Sequence, residues 1–131
     1  MHYLRRVFLA GLGLAAVCAT AAGDFSVAPR GETVPFDGSE SADDAAVWVH
    51  PTDPALSLIV GNNKDVDDPA WGVHVYNLDG TLHHSATGAK QNNVDVRYGF
   101  LLGGERVDLV ASTNRTDETI DFFTIDPLAR T

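Results

Sequence analysis

The 131-residue chain carries a formal net charge of −9, with 18 acidic against 9 basic residues, and 44% of it is apolar. That apolar fraction supports a folded core rather than disorder. The acidic excess argues against a nucleic-acid binder, whose affinity rests on phosphate neutralisation, and suits divalent cations, which take oxygen ligands.

Residues 1–21 read as a secretory signal peptide. Arg5 and Arg6 open it, an apolar run from Val7 to Val17 follows, and the small residues Ala19-Thr20-Ala21 close it. The run is too short to span a bilayer, so the expectation is export to the periplasm or the medium with no stable membrane anchor. Cys18 suggests a lipid attachment site, but bulky Val17 before it argues against one. Cleavage removes two basic residues and no acid, leaving 7 against 18 and a net charge of −11. Cys18 is the one cysteine, so no disulfide staples the remainder. Stability then has to come from the core and from bound ions. About 110 residues remain, enough for one small domain.

Residues 22–42 are rich in Pro, Gly and Ser and read as an extended lead-in with one edge strand at Thr33–Phe36. Strand signals then recur. Ala46–His50 is apolar and aromatic and is stopped by Pro51; Leu58–Gly61 ends in Asn62-Asn63. Val73–Leu78 alternates, and Asp79-Gly80 joins it to Thr81–Ala86 as a two-residue hairpin. Asn92-Asn93 suit a tight turn before Val94–Tyr98; Val107–Ser112 and Ile120–Ile125 complete the series. No window after the leader has helical periodicity. The class is therefore all-β, with sandwich, barrel and propeller open on pattern alone. Ala46 to Ala86 has the length of one four-stranded propeller blade, and a second unit starts near Val94.

Candidate chemistry lies at the strand ends. Asp43 and Asp44 stand before an apolar strand, where a solvated turn is the bland reading. Calcium is the sharper one, because it accepts carboxylate and backbone carbonyl oxygens together. Asp95 and Arg97 read as a same-face ion pair. Arg115 lies in a polar loop after an apolar strand, where its planar fork could grip a phosphate. Lys64 follows a strand end, beside Asp65, Asp67 and Asp68, which read as a solvated acidic loop.

Taken in order, SADDAAVWVHPTDPALSLIVGNNK, GVHVYNLDG, NNVDVRYGF, VDLVASTNR and TIDFFTIDP resemble the β-propeller phytases, bacterial calcium-dependent enzymes that release phosphate from phytate. The resemblance covers Ser41 to Pro127. It implies that the N-terminal signal helix read above is followed by a partial β-propeller, the first blades of a six-bladed ring, over residues 43–131. It further implies Ca2+ as cofactor, with Asp44 as a calcium ligand, Asp43 beside it, and the backbone carbonyls of Ala45 and Val94 as further ligands. Lys64 and Arg115 fall at or next to positions that contact substrate phosphate. The implied reaction is hydrolysis of a phosphomonoester, with calcium offsetting phosphate charge and activating water.

Three departures from the family pattern stand out. Ala45 replaces a proline, which keeps the carbonyl but not the rigidity. Asn63-Lys64 and the longer loop DVDDPAWG replace a lysine pair or Lys-Gly. The third is that the family draws most acidic ligands of its cleft from later blades, so the 131 residues alone are expected to hydrolyse phytate weakly or not at all. The other reading is a non-catalytic extracellular module that binds calcium or partners, self-associating through open strand edges.

Overall fold

Alternating apolar residues build two antiparallel meanders in the computed structural model, which describes residues 26–36, 41–65, 67 and 70–131. The leader, Cys18 and Asp68 lie outside these residues. The first sheet has the order β1(Ala42–Trp48), β2(Leu58–Asn63), β3(Gly72–Asn77), β4(Leu82–Thr87). The second has the order β5(Gln91–Leu102), β6(Glu105–Asn114), β7(Thr119–Ile125). Each strand pairs with its neighbour in sequence. This is the all-β class, with one four-stranded and one three-stranded propeller-blade meander. No strand forms over 26–36, so the edge strand expected at Thr33–Phe36 is not there.

The core lies where the sheets meet. Trp48, Leu58, Val60 and Val73 of the first sheet pack with Val94, Val110 and Ile125 of the second. Leu58 and Val60 are two apart, so the period of two of an extended strand puts both on the same face. Trp48 is fully buried, and its indole N–H donates to Asp108 Oδ2 at 2.8 Å, tying β1 to β6. The other face of β3 is covered as well: the Phe36 ring of the lead-in lies 5.0 Å from that of His74.

The hairpins differ from expectation in an instructive way. The two-residue connection is Gly103-Gly104, between paired Leu102 and Glu105. Both glycines have positive φ, +60° and +96°, as a primed turn demands. The Asp79-Gly80 connection is longer. Gly80 N–H donates to Asn77 O at 3.0 Å, and Asn77 N–H donates to Thr81 O at 2.9 Å. Leu78, Asp79 and Gly80 thus make a three-residue loop ending in a left-handed glycine (φ +87°). Gly80 is doubly required, since a Cβ there would come within 2.4 Å of Glu32 O.

This loop carries a pH-dependent element. Hydrogen bonds from the Thr81 hydroxyl (2.6 Å) and the Thr81 N–H (3.0 Å) hold the Asp79 carboxyl below its ordinary value. A lowered carboxylate stabilises the fold above the ordinary value of about 4, and that contribution disappears as pH falls through the folded-state value. Thr81→Val removes the shorter bond. The Asp79 titration midpoint should then move up towards its ordinary position in a carboxyl NMR titration; an unmoved midpoint would contradict this account.

Candidate functional site

Two β-bulges facing each other across the sheets set the geometry of one end of the molecule. In β1, Ala42 pairs with Asn63 and Ala45 with Gly61, so Asp43 and Asp44 together oppose Asn62. In β5, Gln91 pairs with Asn114 and Val94 with Ser112, so Asn92 and Asn93 together oppose Thr113. A bulge takes backbone groups out of the ladder and re-aims side chains. The acid pair is therefore inside β1 rather than at its mouth, and Asn92-Asn93 begin a strand rather than forming a tight turn.

The freed backbone groups are met by side chains. Asp44 N–H donates to Asn62 Oδ1 at 2.9 Å. Asn93 N–H donates to Thr113 Oγ1 at 3.0 Å, and the Ser112 hydroxyl donates to Asn93 O at 2.9 Å. Asp44 then reaches across to the second sheet. Its Oδ1 accepts from Ala45 N–H at 2.9 Å and its Oδ2 from Val94 N–H at 3.2 Å. Asn62 makes the reciprocal crossing: its Nδ2 donates to Gln91 O at 3.0 Å and also to Asn92 O.

Asp43 is engaged differently. It pairs with Lys64 at 2.5 Å, the two side chains being only 27% and 15% exposed. Lys64 is fixed further by its backbone N–H, which donates to Ser41 O at 2.9 Å. Asp65 Oδ1 accepts from Asp67 N–H at 3.0 Å, a local turn within the acidic loop.

Arg115 opens the β6–β7 loop. Asn114 Oδ1 accepts from Thr116 N–H and Asp117 N–H, the side-chain turn expected of asparagine. Asn114 Nδ2 donates to Asp117 and Asp121, and Gln91 Nε2 also reaches Asp121, at 2.6 Å. Arg115 N–H donates to Lys90 O at 2.9 Å, and its guanidinium touches Asn92 Oδ1 at 3.4 Å. Its side chain is exposed.

The fold thus brings Asp43, Asp44, Ala45, Lys64, Val94 and Arg115 to the same end of the paired sheets, at the start of β1 and β5 and the finish of β2 and β6. An open groove of about 700 Å³ runs along β1 and β5, with Asp44, Ala45, Val94, Asp95 and Tyr98 among its walls. The expected Asp95–Arg97 ion pair does not form; Asp95 Oδ1 accepts instead from Val96 N–H at 2.8 Å. Adjacent side chains and local backbone donors compete for such a carboxylate, and here the backbone is nearer.

The Asp44 carboxylate accepts from two backbone N–H groups; the atoms a cation there would draw on, that carboxylate and backbone carbonyls, are oxygens, which fit a hard cation and not a soft one. In an extended strand a residue's N–H and C=O leave by the same edge. The Val94 carbonyl therefore shares the strand edge from which its N–H reaches Asp44. Among the described residues no group of three or more His, Cys, Asp or Glu is placed to hold a metal. Carbonyls and water would have to complete any shell on Asp44.

Asn62, Gln91, Asn114 and Asp121 were not singled out by sequence. Asn62 is 2% exposed and Gln91 2%, yet Asn62 looks like an ordinary strand terminator and Gln91 like a polar residue leading into Asn92-Asn93. The available signal was Gly61-Asn62-Asn63 continuing the alternation of β2, which places polar side chains where the period demands burial.

The phytase family model matches residues 3–130. A 3-phytase of Bacillus subtilis (strain 168) is 42% identical over 105 residues, which cover 78% of this chain and 26% of that protein. The chain spans about a quarter of the length of this relative.

Proposed function

The chain belongs to the phytase family, and from that premise we propose that it serves a calcium-dependent hydrolase of phosphomonoesters, with phytate as substrate. The observation that carries the reading is the convergence of Asp44, Lys64 and Arg115 around the facing bulges. Bound calcium supplies positive charge that an acidic chain otherwise lacks for a polyanionic substrate. The Asp44 carboxylate and the carbonyls of Ala45 and Val94 would hold it.

Arg115 offers the planar fork that matches two phosphate oxygens at once. Among the described residues its guanidinium makes one long hydrogen bond, to Asn92, which leaves most of its donors for a ligand. Lys64 is a point charge already neutralised by Asp43, so phosphate has to compete with that carboxylate for it. This makes Arg115 the stronger phosphate contact of the two. The leader-like pattern of residues 1–21 supports export to the periplasm or the medium as part of this reading.

Phosphate release from phytate tests the reading, assayed on a chimera in which this chain replaces the matching segment of the Bacillus subtilis 3-phytase. Arg115→Lys keeps the charge and loses the fork, and should lower release about tenfold, equivalent to about 1.4 kcal/mol. Its melting temperature should stay unchanged. Release equal to wild type would remove Arg115 from substrate binding. The 131-residue chain alone should release phosphate weakly or not at all. Absence of release from the chimera, with calcium binding retained, would leave the non-catalytic module as the function.

A further inference from the structure

We propose that Asn62 is a positioning residue that couples the cation site at Asp44 to the phosphate grip of Arg115. The inference rests on the functional reading above and goes beyond it, because Asn62 itself touches neither ligand.

The chain of contacts is short and continuous. On one side, the Asn62 amide oxygen takes the N–H that the β1 bulge leaves unpaired on Asp44. On the other, its amide nitrogen grips two successive carbonyls, those of Gln91 and Asn92. The three residues Lys90, Gln91 and Asn92 form a strut that carries Arg115 by both of its ends. Lys90 O accepts the Arg115 backbone N–H, and Asn92 Oδ1 accepts from its guanidinium. Thr116 Oγ1 adds a third tie, accepting from Lys90 N–H at 2.9 Å. A shift of the β1 bulge therefore moves the Arg115 side chain through a single amide.

Burial makes this amide stiff. Asn62 is 2% exposed, so water does not readily replace a lost partner, and an unsatisfied amide there would be strongly disfavoured. Both of its hydrogens and its oxygen are used. Asp44 and Asn62 also cross between the sheets in opposite directions, one accepting from β5 and one donating to it. A cation pulling on the Asp44 carboxylate competes with the Val94 N–H for the same oxygen. The strain passes to Asn62, the other link at that crossing. Coupling between two sites is reciprocal, so phosphate on Arg115 should in turn tighten calcium at Asp44.

The test is a calcium titration of the full 131-residue chain, followed by nitrogen–proton NMR correlation spectra of backbone and arginine side-chain groups. In the wild type, calcium should shift the signals of Asp44, Ala45 and Val94 and also the Arg115 side-chain signal. Asn62→Asp keeps the acceptor for Asp44 and loses both donors to β5. The Asp44, Ala45 and Val94 shifts should persist in it while the Arg115 response is lost. Asn92→Ala provides a second variant that spares the buried amide and cuts the guanidinium contact; it too should lose the Arg115 response alone. Wild-type shifts confined to Asp44, Ala45 and Val94 would overturn the coupling and leave the calcium reading intact. An Arg115 response retained in Asn62→Asp or in Asn92→Ala would overturn the path proposed. No calcium-dependent shift anywhere would overturn the cation site and the coupling together.

Discussion

Calcium is expected to raise the melting temperature of the wild-type chain, and Asp44→Ala to abolish that rise. Calcium at about 100 times its dissociation constant stabilises a native-state site by about 2.7 kcal/mol. For a domain of this size that is a rise on the order of 10 °C. The variant should lack it, because in the proposed site Asp44 supplies the carboxylate, and Ala45 and Val94 offer carbonyls alone. Without calcium the variant should still be weaker by about 1–2 kcal/mol, since Ala45 N–H and Val94 N–H lose their acceptor. Asp44→Asn separates the two effects. Its amide oxygen can still accept one of those bonds, so most of the calcium-free stability should return while the calcium response does not. A full calcium response in Asp44→Ala would place the ion elsewhere.

Trp48→Ala should have the largest effect on folding of any single change in the core. The side chain is fully buried at the junction of the sheets, among Leu58, Val60, Val94 and Val110. Truncating a buried tryptophan costs about 3–5 kcal/mol, because the cavity left behind relaxes only in part. Small domains have a total margin of about 5–15 kcal/mol, so cooperative unfolding should weaken severely. Trp48→Phe keeps most of the buried ring and gives up the hydrogen bond to Asp108. It should lie between the two, at about 1–2 kcal/mol. Urea denaturation followed by circular dichroism measures both. A loss below about 1.5 kcal/mol for Trp48→Ala would mean that the two sheets do not share a core there.

The strands were legible because their apolar residues alternate. Leu58 and Val60, or Val73 and Val75, announce a buried face by period alone, and β2, β3, β6 and β7 stand within a few residues of where the pattern puts them. Apart from the edge strand expected at Thr33–Phe36, which does not form, the misplaced features are at bulges and turns, where backbone geometry departs from the period. Asp43-Asp44 looked like a strand entrance because polar residues usually precede strands. The bulge lets them sit inside one. Asn92-Asn93 carried the composition of a turn and form the β5 bulge instead. Gly103-Gly104 was overlooked as a hairpin, and Asp79-Gly80 gained a residue because Leu78 joins its loop.

The site was half legible for the same reason. Asp44, Lys64 and Arg115 have charges that stand out in a sequence, and the fold gathers them at one end. Asn62 does not stand out: a buried amide between bulges has the composition of a strand terminator. Only the paired bulges, which no period reveals, give it a role. The pairing of Lys64 with Asp43 was equally hidden, since 21 residues separate them in the chain.

A crystal of this chain grown with calcium, and its anomalous difference map, tests the proposed calcium site at Asp44 most directly. The account predicts a calcium peak about 2.3–2.6 Å from an Asp44 carboxylate oxygen and from the carbonyl oxygens of Ala45 and Val94. A map without density at that position, at calcium concentrations that raise the melting temperature, would contradict it.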